Sequence, residues 1–281
     1  MKKVWINGKL VDINRATVSV FDRGFMYGDG LFETMRCYNG TVFKIDDHLR
    51  RLEHSAKTIA IKMPYSLKYL KKEIYKLIAV NALKDAYIRL TITRGEGRFG
   101  IEHKDVLKPN MVIIAKKFEG YPRWMADKGI SCHTVKIRQN DLSPLSGAKS
   151  LNFLNYIMAR FEAKDSGADE AIILNTKGYV AESPTSNIFI VIGKSLITPS
   201  IVSGALPGIT RAIIIKNGRK LGFKVAEKRL TYKELIKADE IFLTNTLAEV
   251  LPVTRVDRKK IGAGSPGVIS KLLKSSYREA I

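Results

Sequence analysis

Short runs of alternating apolar and polar residues dominate the first third of the chain. The segments "KVWING" and "ATVSVFDRG" alternate as strands do, and "LFETMRCYNGTVFKI" indicates a hairpin around the Asn39-Gly40 pair. A helix is expected from Asp46, and a second one near Ser66, before "AYIRLTITRG" and "MVIIAKK" return to strands. The apolar stripe of the first helix consists of Leu49, Leu52, Ala56 and Ile59. This third therefore predicts strands with two helices.

The second half of the chain alternates strands and helices from Ser131 onward. Its most apolar strand candidates are "EAIILN", "SNIFIVIG" and "EIFLTN". The segment "GYPRWMADKG" combines proline, glycine and mixed polar residues, which is typical of a linker. We therefore predict an N-terminal α/β domain over residues 1–119, an interdomain loop over 120–130 and a C-terminal domain over 131–281.

Composition narrows the class of protein. The chain has 281 residues, of which 45% are hydrophobic and 27% are charged, as in an ordinary folded soluble protein. Its apolar runs are strand-length, far below the ~18 residues that a membrane span needs. "MKKVWINGKL" has no apolar core after its lysines, so a signal peptide is not expected. Cys37 and Cys132 have no metal-ligand spacing and are expected to be reduced thiols of a cytoplasmic protein.

The formal net charge of +21 raises the question of nucleic-acid binding. The basic residues are dispersed as pairs and singles, as in "KYLKKEIYK" and "DRKKIG", without a basic tail, a zinc module or an aromatic RNA-binding motif. This pattern favours solvated faces that attract small anionic molecules rather than a nucleic acid. The histidines form no HExxH pattern, and no GxSxG element is present, so neither a zinc enzyme nor a serine hydrolase is indicated.

The segment "GEGRFG" satisfies the GxGxxG pattern of dinucleotide-binding proteins and follows a predicted strand. In those proteins a helix begins at the third glycine and holds the pyrophosphate at its N-terminus. Here the polar segment "IEHKDVLKPN" follows instead. The segment is therefore interpreted as a flexible substrate loop that carries Arg98.

Lys149 is the single charge between Leu145 and Tyr156. The apolar residues that follow it at helical spacing predict a helix that packs one face into the core and holds this lysine at the edge of the interior. A lysine partly stripped of water loses pKa and becomes a nucleophilic amine, as enzymes that form Schiff bases require. An ordinary surface lysine remains the alternative. The apolar positions are Leu151, Leu154, Met158 and Phe161.

Two further features are candidates for anion and cation binding. In "LPGITRAIII" a Pro-Gly turn leads into a helix, whose free N-terminal amides suit a phosphate. In "VAESPTSNIFIVI", Glu182 is the single acid between apolar strand residues and a hydroxyl-rich turn, and a buried carboxylate there would need a cationic partner. A plain helix start and a solvated acid at a strand end remain the alternatives.

Taken together, these segments resemble the class IV aminotransferases, the fold-type IV pyridoxal phosphate enzymes. The resemblance covers essentially the whole chain. It rests on "FDRGFMYGDGLFETMR", "DDHLRRLEHSAK", "AKSLNFLN", "AESPTSNIF", "LPGITR" and "ADEIFLTNTLAEVLPV", in the order of the family. It implies a two-domain α/β (α+β) fold, pyridoxal 5'-phosphate as cofactor, and a homodimer whose active sites share loops between subunits.

The resemblance also implies roles for individual residues. Lys149 matches the Schiff-base lysine, Glu182 the acid that pairs with the pyridine nitrogen, and Arg51 the phosphate-binding arginine of the "HxxRL" helix. Arg51 lies off the Leu49/Leu52 stripe, so its guanidinium is expected to leave the core and meet the phosphate. The positions that close the phosphate site are Ile209, Thr210 and Thr246.

Three activities occur on this scaffold, and the motif details are expected to separate them. Branched-chain aminotransferases usually carry a tyrosine where this chain has Phe153, and they read "FEG" where it has "FET". D-amino acid aminotransferases typically carry a tyrosine at Phe32 and an Arg-x-His pair, whereas Arg98 is followed here by Phe99 and Gly100. These departures weaken both transaminase interpretations.

The same positions are closer to 4-amino-4-deoxychorismate lyases. Thr34 matches a hydroxyl proton carrier of the lyases, Arg98 an arginine that holds a substrate carboxylate, and Asn245 a further lyase position. Tyr27 is also placed on the substrate side. The expected function is therefore a lyase that forms 4-aminobenzoate and pyruvate from a small anionic substrate, with a transaminase of branched-chain or D-amino acids as the alternative.

Overall fold

The computed structural model describes residues 2–97, 100–102 and 108–281. The chain divides into two compact units: a first unit of Met1–Glu119 with Ala148–Asn152, and a second unit of Gly120–Gly147 with Phe153–Ile281. These units differ from the predicted division in two places. Residues 120–130 lie within the second unit and contain a short helix, and Ala148–Asn152 belongs to the first unit.

The first unit is built on an antiparallel sheet. In the part of the chain that the structure describes, six strands follow the order β2-β1-β6-β5-β3-β4, and each neighbouring pair is antiparallel. The strands are β1 (Lys3–Ile6), β2 (Lys9–Asp12), β3 (Gly30–Tyr38), β4 (Thr41–Val42), β5 (Ala86–Thr93) and β6 (Asn110–Lys117). The helices are α1 (Arg23–Tyr27), α2 (Ile45–Thr58) and α3 (Leu67–Val80).

The predicted hairpin and both predicted helices of this unit are confirmed. Asn39 and Gly40 take positive φ angles of 48° and 85° between β3 and β4, as the tight turn requires. Ser66 caps α3 by accepting a hydrogen bond from the Tyr69 amide. The stripe of α2 lies in the core, with Leu49 and Ala56 fully buried. Since β5 belongs to an antiparallel sheet, "GEGRFG" lacks the parallel βαβ context of a dinucleotide site.

The strand predicted over "ATVSVFDRG" is wrong. Residues 16–19 lie outside regular structure, and the Val18 and Val20 side chains are 48% and 66% exposed. Alternation favours a strand only where a neighbouring strand supplies hydrogen bonds and one face is covered. This segment has neither among the described residues. It leads instead into α1, which Asp22 caps by accepting from the Gly24 amide.

The second unit contains a larger mixed sheet. Within the described residues its path is β12-β11-β10-β14-β15-β7-β8-β9-β13, with β16 paired to β15. The strands are β7 (Ile130–Gln139), β8 (Glu170–Asn175), β9 (Tyr179–Glu182), β10 (Asn187–Ile192), β11 (Ser195–Pro199), β12 (Lys224–Lys228), β13 (Leu230–Thr231), β14 (Glu240–Asn245), β15 (Glu249–Val256) and β16 (Lys259–Lys260). The helices are α4 (Arg123–Asp127), α5 (Leu154–Asp165), α6 (Ile209–Lys220), α7 (Tyr232–Ile236) and α8 (Val268–Arg278).

Helix α5 does not bury the face that its sequence predicts. Leu154, Met158 and Phe161 are 69%, 47% and 58% exposed, whereas the small residues Ala159 and Ala163 are fully buried against β7 and β8. The apolar spacing therefore identified the helix correctly but assigned the wrong side to the core of the chain. A helix that packs closely against a sheet favours alanine on the side that faces the sheet, and the larger side chains of α5 point away from the sheet.

Among residues 2–97, 100–102 and 108–281, no helix is long and apolar enough to cross a membrane. The same residues contain no group of three histidine, cysteine or acidic side chains placed to hold a metal ion. Cys37 and Cys132 are buried free thiols.

Candidate functional site

The segment that carries Lys149 pairs with the beginning of β3 in the first unit. The Phe32 amide donates to the Lys149 carbonyl at 2.9 Å, and the Leu151 amide donates to the Gly30 carbonyl at 2.9 Å. The lysine is half-buried, and its Nζ lies 4.4 Å from the centroid of the Phe32 ring. The backbone pairing thus fixes the lysine beside an aromatic ring, at the edge of the interior as predicted.

A second cation shares this ring. The Arg89 guanidinium lies 3.8 Å from the Phe32 centroid, and Arg89 stands opposite Thr34 in the register of β5 with β3. Because alternate strand residues point to opposite faces, Phe32 and Thr34 lie on one side of β3 and the buried Leu31 on the other. The first unit therefore brings two cations and a threonine hydroxyl together around Phe32. Two cations near a shared ring make a suitable environment for a carboxylate.

Arg89 was missed at the sequence level. It is the single charge within "AYIRLTIT", a pattern that also fits a strand with one solvated face. Its neighbours could not be read from the local sequence, because β3 and Lys149, which lie beside Arg89 in the fold, are distant from it along the chain. The isolated charge in an otherwise uncharged strand could have been flagged, as it was for Lys149.

Arg51 does not leave the core but turns toward a buried acid. Its Nε and Nη2 donate to the two carboxylate oxygens of Glu33 at 2.7 Å each, and its side chain is 10% exposed. His48 Nδ1 lies 2.8 Å from Glu33 Oε2, and both of these side chains are only 1% exposed. Burial raises the pKa of Glu33, but the Arg51 and His48 contacts outweigh it and lower that pKa to about 2. Glu33 and His48 thus hold the predicted phosphate-binding arginine, and the sequence did not single them out, although His48 is the histidine of "HxxRL".

Of the predicted substrate-side residues in the first unit, Tyr27 is described and Arg98 lies outside the described residues. Tyr27 ends α1 and is 38% exposed. Its hydroxyl accepts a hydrogen bond from the Gly100 amide at 3.1 Å. The tyrosine therefore contacts the segment that follows Arg98 in sequence.

Glu182 is buried at the end of β9 in the second unit, with 4% exposure. The Tyr156 hydroxyl donates to its Oε1 at 2.8 Å, and the Leu206 amide donates to its Oε2 at 2.8 Å. Burial and the adjacent Glu182 charge raise the pKa of Tyr156, so this hydroxyl stays a donor. The solvated alternative for Glu182 is therefore wrong, and the carboxylate is oriented by two neutral donors.

Leu206, whose amide donates to Glu182, lies three residues before the first residue of α6 and so links Glu182 to the N-terminus of this helix. Gly208 is the N-cap residue and has no side chain that could cap the helix. A Cβ at Gly208 would lie 2.0 Å from Asn187 Oδ1, and the Asn187 Nδ2 in turn donates to the Leu206 carbonyl at 2.8 Å. The twelve-residue helix α6 thus begins directly after Gly208, a position that accepts only glycine without rearrangement. The amides of Ile209 and Thr210 lie in its first turn, where they suit an anion.

Asn245 has a structural role in the turn that contains Thr246. Its Nδ2 donates to Ser186 Oγ at 2.9 Å, and its Oδ1 accepts from the Leu247 and Ala248 amides at 2.9 and 2.7 Å. This turn follows β14, whose Thr244 pairs with Asn187 beside the start of α6. The second unit therefore gathers Glu182, the α6 N-terminus and the Thr246 turn. The asparagine that favoured a lyase is explained by the turn itself.

Each unit, taken by itself, offers groups that suit part of a phosphate-bearing aromatic cofactor. The second unit offers helix amides for an anion and a buried carboxylate for a cationic ring nitrogen. The first unit offers a half-buried amine and an immobilised guanidinium. The roles that the resemblance implied for these residues stay predictions, and Glu33, His48 and Arg89 lie beside them in the first unit.

Comparison with known proteins identifies the class. Residues 30–256 match the model of the amino-transferase class IV family, and the chain belongs to that family. The branched-chain amino acid aminotransferase of Escherichia coli superposes with a TM-score of 0.95 at 32% identity, over 99% of this chain and 94% of that one. A second branched-chain amino acid aminotransferase, solved with pyridoxamine 5'-phosphate, gives a TM-score of 0.94 at 30% identity, over 99% of this chain and 93% of that one. The expected fold, that of the fold-type IV pyridoxal phosphate enzymes, and the expected cofactor are confirmed.

Two relatives bear on the reaction. A putative branched-chain-amino-acid aminotransferase of Methanocaldococcus jannaschii is 41% identical over 99% of this chain and 96% of its own length. The aminodeoxychorismate lyase of Bacillus subtilis is 32% identical over 99% of this chain and 94% of its own. The chain is thus an enzyme of this family, and the similarities favour the transaminase alternative over the expected lyase.

Proposed function

We propose that the protein is a pyridoxal 5'-phosphate-dependent aminotransferase that exchanges amino groups between branched-chain amino acids and 2-oxoglutarate. The similarity to branched-chain aminotransferases supports this proposal, at 41% identity against 32% for the lyase. The observation that carries it is the shared Phe32 ring, which holds the Lys149 amine and the Arg89 guanidinium on one face of β3. A transaminase needs this combination of an amine and a carboxylate-binding cation.

Each candidate residue has a role in this proposal. The bound cofactor supplies an electron-withdrawing ring that makes the substrate's α-proton acidic. Lys149 holds the cofactor aldehyde and moves the proton. Glu182 accepts a hydrogen bond from the ring nitrogen and keeps it protonated, and Tyr156 and Leu206 fix the plane of that carboxylate. Arg51, Ile209, Thr210 and Thr246 keep the phosphate-binding roles that the resemblance implies.

The substrate side combines an apolar wall with cations. Arg89 binds a carboxylate of the small anionic substrate, and the Phe32 ring against which it stacks limits the movement of the guanidinium. In this proposal Tyr27 contacts the substrate, and Arg98 keeps the carboxylate-binding role that the resemblance implies. The proposed acceptor, 2-oxoglutarate, carries two carboxylates, which suits a region with more than one cation.

The enzyme is proposed to be a cytoplasmic homodimer. Leu154, Ile157, Met158 and Phe161 form an apolar stripe along α5, and each is at least 42% exposed in the single chain. Spacings of three and four residues place these side chains on one face of the helix. Such a stripe favours contact with a second copy of the chain. The two buried free thiols suit a reducing compartment.

An aminodeoxychorismate lyase is the second candidate function, and Thr34 favours it. Its hydroxyl lies on the same face of β3 as Phe32, opposite Arg89 in the register. In an elimination the departing three-carbon fragment must gain a proton, and a hydroxyl at this place could relay one. Transamination has no leaving fragment and gives this hydroxyl no such task.

One set of assays decides between the two reactions. Purified protein is incubated with leucine, valine or D-alanine plus 2-oxoglutarate, and separately with aminodeoxychorismate. We expect rapid glutamate formation from leucine and valine, and no activity for Lys149→Ala. Formation of 4-aminobenzoate and pyruvate without transamination would establish the lyase. In that case Thr34→Ala is expected to lose about 100-fold in rate or more.

A further inference from the structure

The structure contains a buried charge cluster in which one acid is shared by two side chains of the same helix. Arg51 and His48 lie three residues apart on α2, so their side chains emerge on one face. Both meet the carboxylate of Glu33 on β3, which is fully buried. These three residues, called the Glu33 cluster below, tie the helix to the sheet through charged hydrogen bonds.

Stability alone is a weak reason for such a cluster. Buried ion pairs are often no more stabilising than apolar residues of similar volume, because three polar groups must lose their hydration. What the contacts do provide is orientation. Two parallel N–H···O bonds of 2.7 Å fix the plane of the Arg51 guanidinium, and the His48 contact at 2.8 Å fixes the carboxylate in turn.

We infer that Glu33, held by His48, is a positioning residue that orients Arg51 toward the cofactor phosphate. This inference rests on the proposed function, in which Arg51 binds that phosphate. Glu33 occupies Nε and Nη2, so the direction of Nη1 is set by the fork. A free arginine would have to be immobilised when the phosphate binds, whereas the Glu33 cluster immobilises it beforehand.

The expected consequence is selective affinity for the phosphate group. Pyridoxal lacks the phosphate but keeps the aldehyde and the ring that reach the other residues of the site. Loosening the guanidinium should therefore weaken binding of pyridoxal 5'-phosphate and leave binding of pyridoxal nearly unchanged. Ordering a long side chain during binding lowers affinity by up to about 10-fold, and misdirecting its charge lowers it further.

The test compares the two ligands in four proteins freed of cofactor: the wild type, Glu33→Asp, Glu33→Gln and Glu73→Gln. Dissociation constants for pyridoxal 5'-phosphate and for pyridoxal are measured by fluorescence titration, and their ratio is the readout. Glu73 is the matched control, since it is a buried acid of the same unit that accepts from Trp5 Nε1 at 3.0 Å. Glu33→Asp keeps the charge but withdraws it by one methylene. It carries the test if Glu33→Gln does not fold.

We expect the preference for the phosphorylated ligand to fall about 10-fold or more in the Glu33 variants and to stay within about twofold in Glu73→Gln. The inference is overturned if the two ligands weaken in parallel, because that result would mean a purely structural role. It is also overturned if neither dissociation constant changes. A wild type that binds neither ligand would instead contradict the proposed function. This outcome is distinct from a failure of the inference about Glu33, because the wild type alone reveals it.

Discussion

Phe32 has an unusual place among the residues of the first unit because it organises two cations without carrying a charge. The Lys149 and Arg89 head groups lie 4.4 and 3.8 Å from the centroid of its ring. A cation over an aromatic face gains on the order of 1 kcal/mol, which offsets part of the repulsion between like charges. The ring thus lies against both head groups and offsets part of the cost of bringing them together.

The Glu33 carboxylate leads to a prediction about acid stability. Its pKa in the folded protein is about 2, below the ordinary value of 4.5, so its stabilising contribution is complete above pH 4.5 and is lost between pH 4.5 and 2. A shift of this size corresponds to about 3 kcal/mol. Urea unfolding of the cofactor-free protein at a series of pH values should therefore show wild type and Glu33→Gln converging as the pH falls through this range.

A surface variant provides the control for that experiment. Glu119 is exposed beside Lys117, and Glu119→Gln should follow the wild-type curve at every pH. The prediction fails if the difference between wild type and Glu33→Gln stays constant from about pH 5 to about pH 2. Such a result would mean that the pKa of Glu33 is the same in the folded and the unfolded protein.

Single residues differed in how far the sequence could identify them. Lys149 and Glu182 were recognisable because each is an isolated charge in an apolar setting. Glu33 was hidden within "LFETMR", where a strand acid usually faces solvent, and its partners lie on a helix that follows the hairpin. A pairing of this kind depends on the packing of α2 against β3, and local sequence does not contain that information.

At the level of elements, the start of α6 yields the clearest prediction. Gly208 has an ordinary φ of −69°, so an alanine would be acceptable to the backbone. It would be unfavourable mainly because its Cβ would lie 2.0 Å from Asn187 Oδ1, with the Arg211 Cβ at 3.2 Å as a smaller contact. Gly208→Ala should therefore destabilise the protein by about 1–3 kcal/mol and weaken binding of pyridoxal 5'-phosphate. Thermal unfolding and ligand titration measure both effects.

A second substitution tests the stated cause. In the double variant Asn187→Ser/Gly208→Ala the shorter side chain makes room for the new Cβ, so the two changes should together cost less than the sum of the single ones. Additive effects would show that the strain arises elsewhere. Unchanged stability and affinity in Gly208→Ala would contradict the assigned role of this helix start.

Helix α5 shows why periodicity predicted an element but not its environment. Spacing of apolar residues identifies the side of a helix that avoids water, yet it cannot say which surface covers that side. Here the covering surface is not supplied by the described part of the same chain, and alanines face the sheet instead. The strand expected over "ATVSVFDRG" failed for a similar reason, since alternation does not reveal whether a partner strand exists.

For the whole molecule, the exposed stripe of α5 leads to a prediction about assembly. Burying one large apolar side chain contributes about 1.5–3 kcal/mol, and a buried charge in its place adds a further cost. Replacing Phe161 of the stripe by glutamate should therefore weaken self-association about 100-fold or more. Sedimentation velocity should show a wild-type dimer at micromolar concentration and a monomer for Phe161→Glu. Lys72→Glu, an exposed position on α3 in the first unit, should remain a dimer.

Two results would contradict this prediction. A monomeric wild type would mean that the stripe is not a self-association surface. A dimeric Phe161→Glu with unchanged affinity would place the interface elsewhere on the chain. Neither result would alter the assignment to the family, which rests on residues 30–256 and not on assembly.

The excursion of Ala148–Asn152 into the first unit has a consequence for synthesis on the ribosome. Residues 1–119 emerge first and can form most of their sheet, but the backbone groups of Gly30 and Phe32 gain their partners only when Lys149 and Leu151 have emerged. Translation must therefore run well into the second unit before the first is complete, whereas domains usually fold one after another. A nascent chain paused before residue 148 would expose an unfinished edge at the place where Lys149 is due to dock.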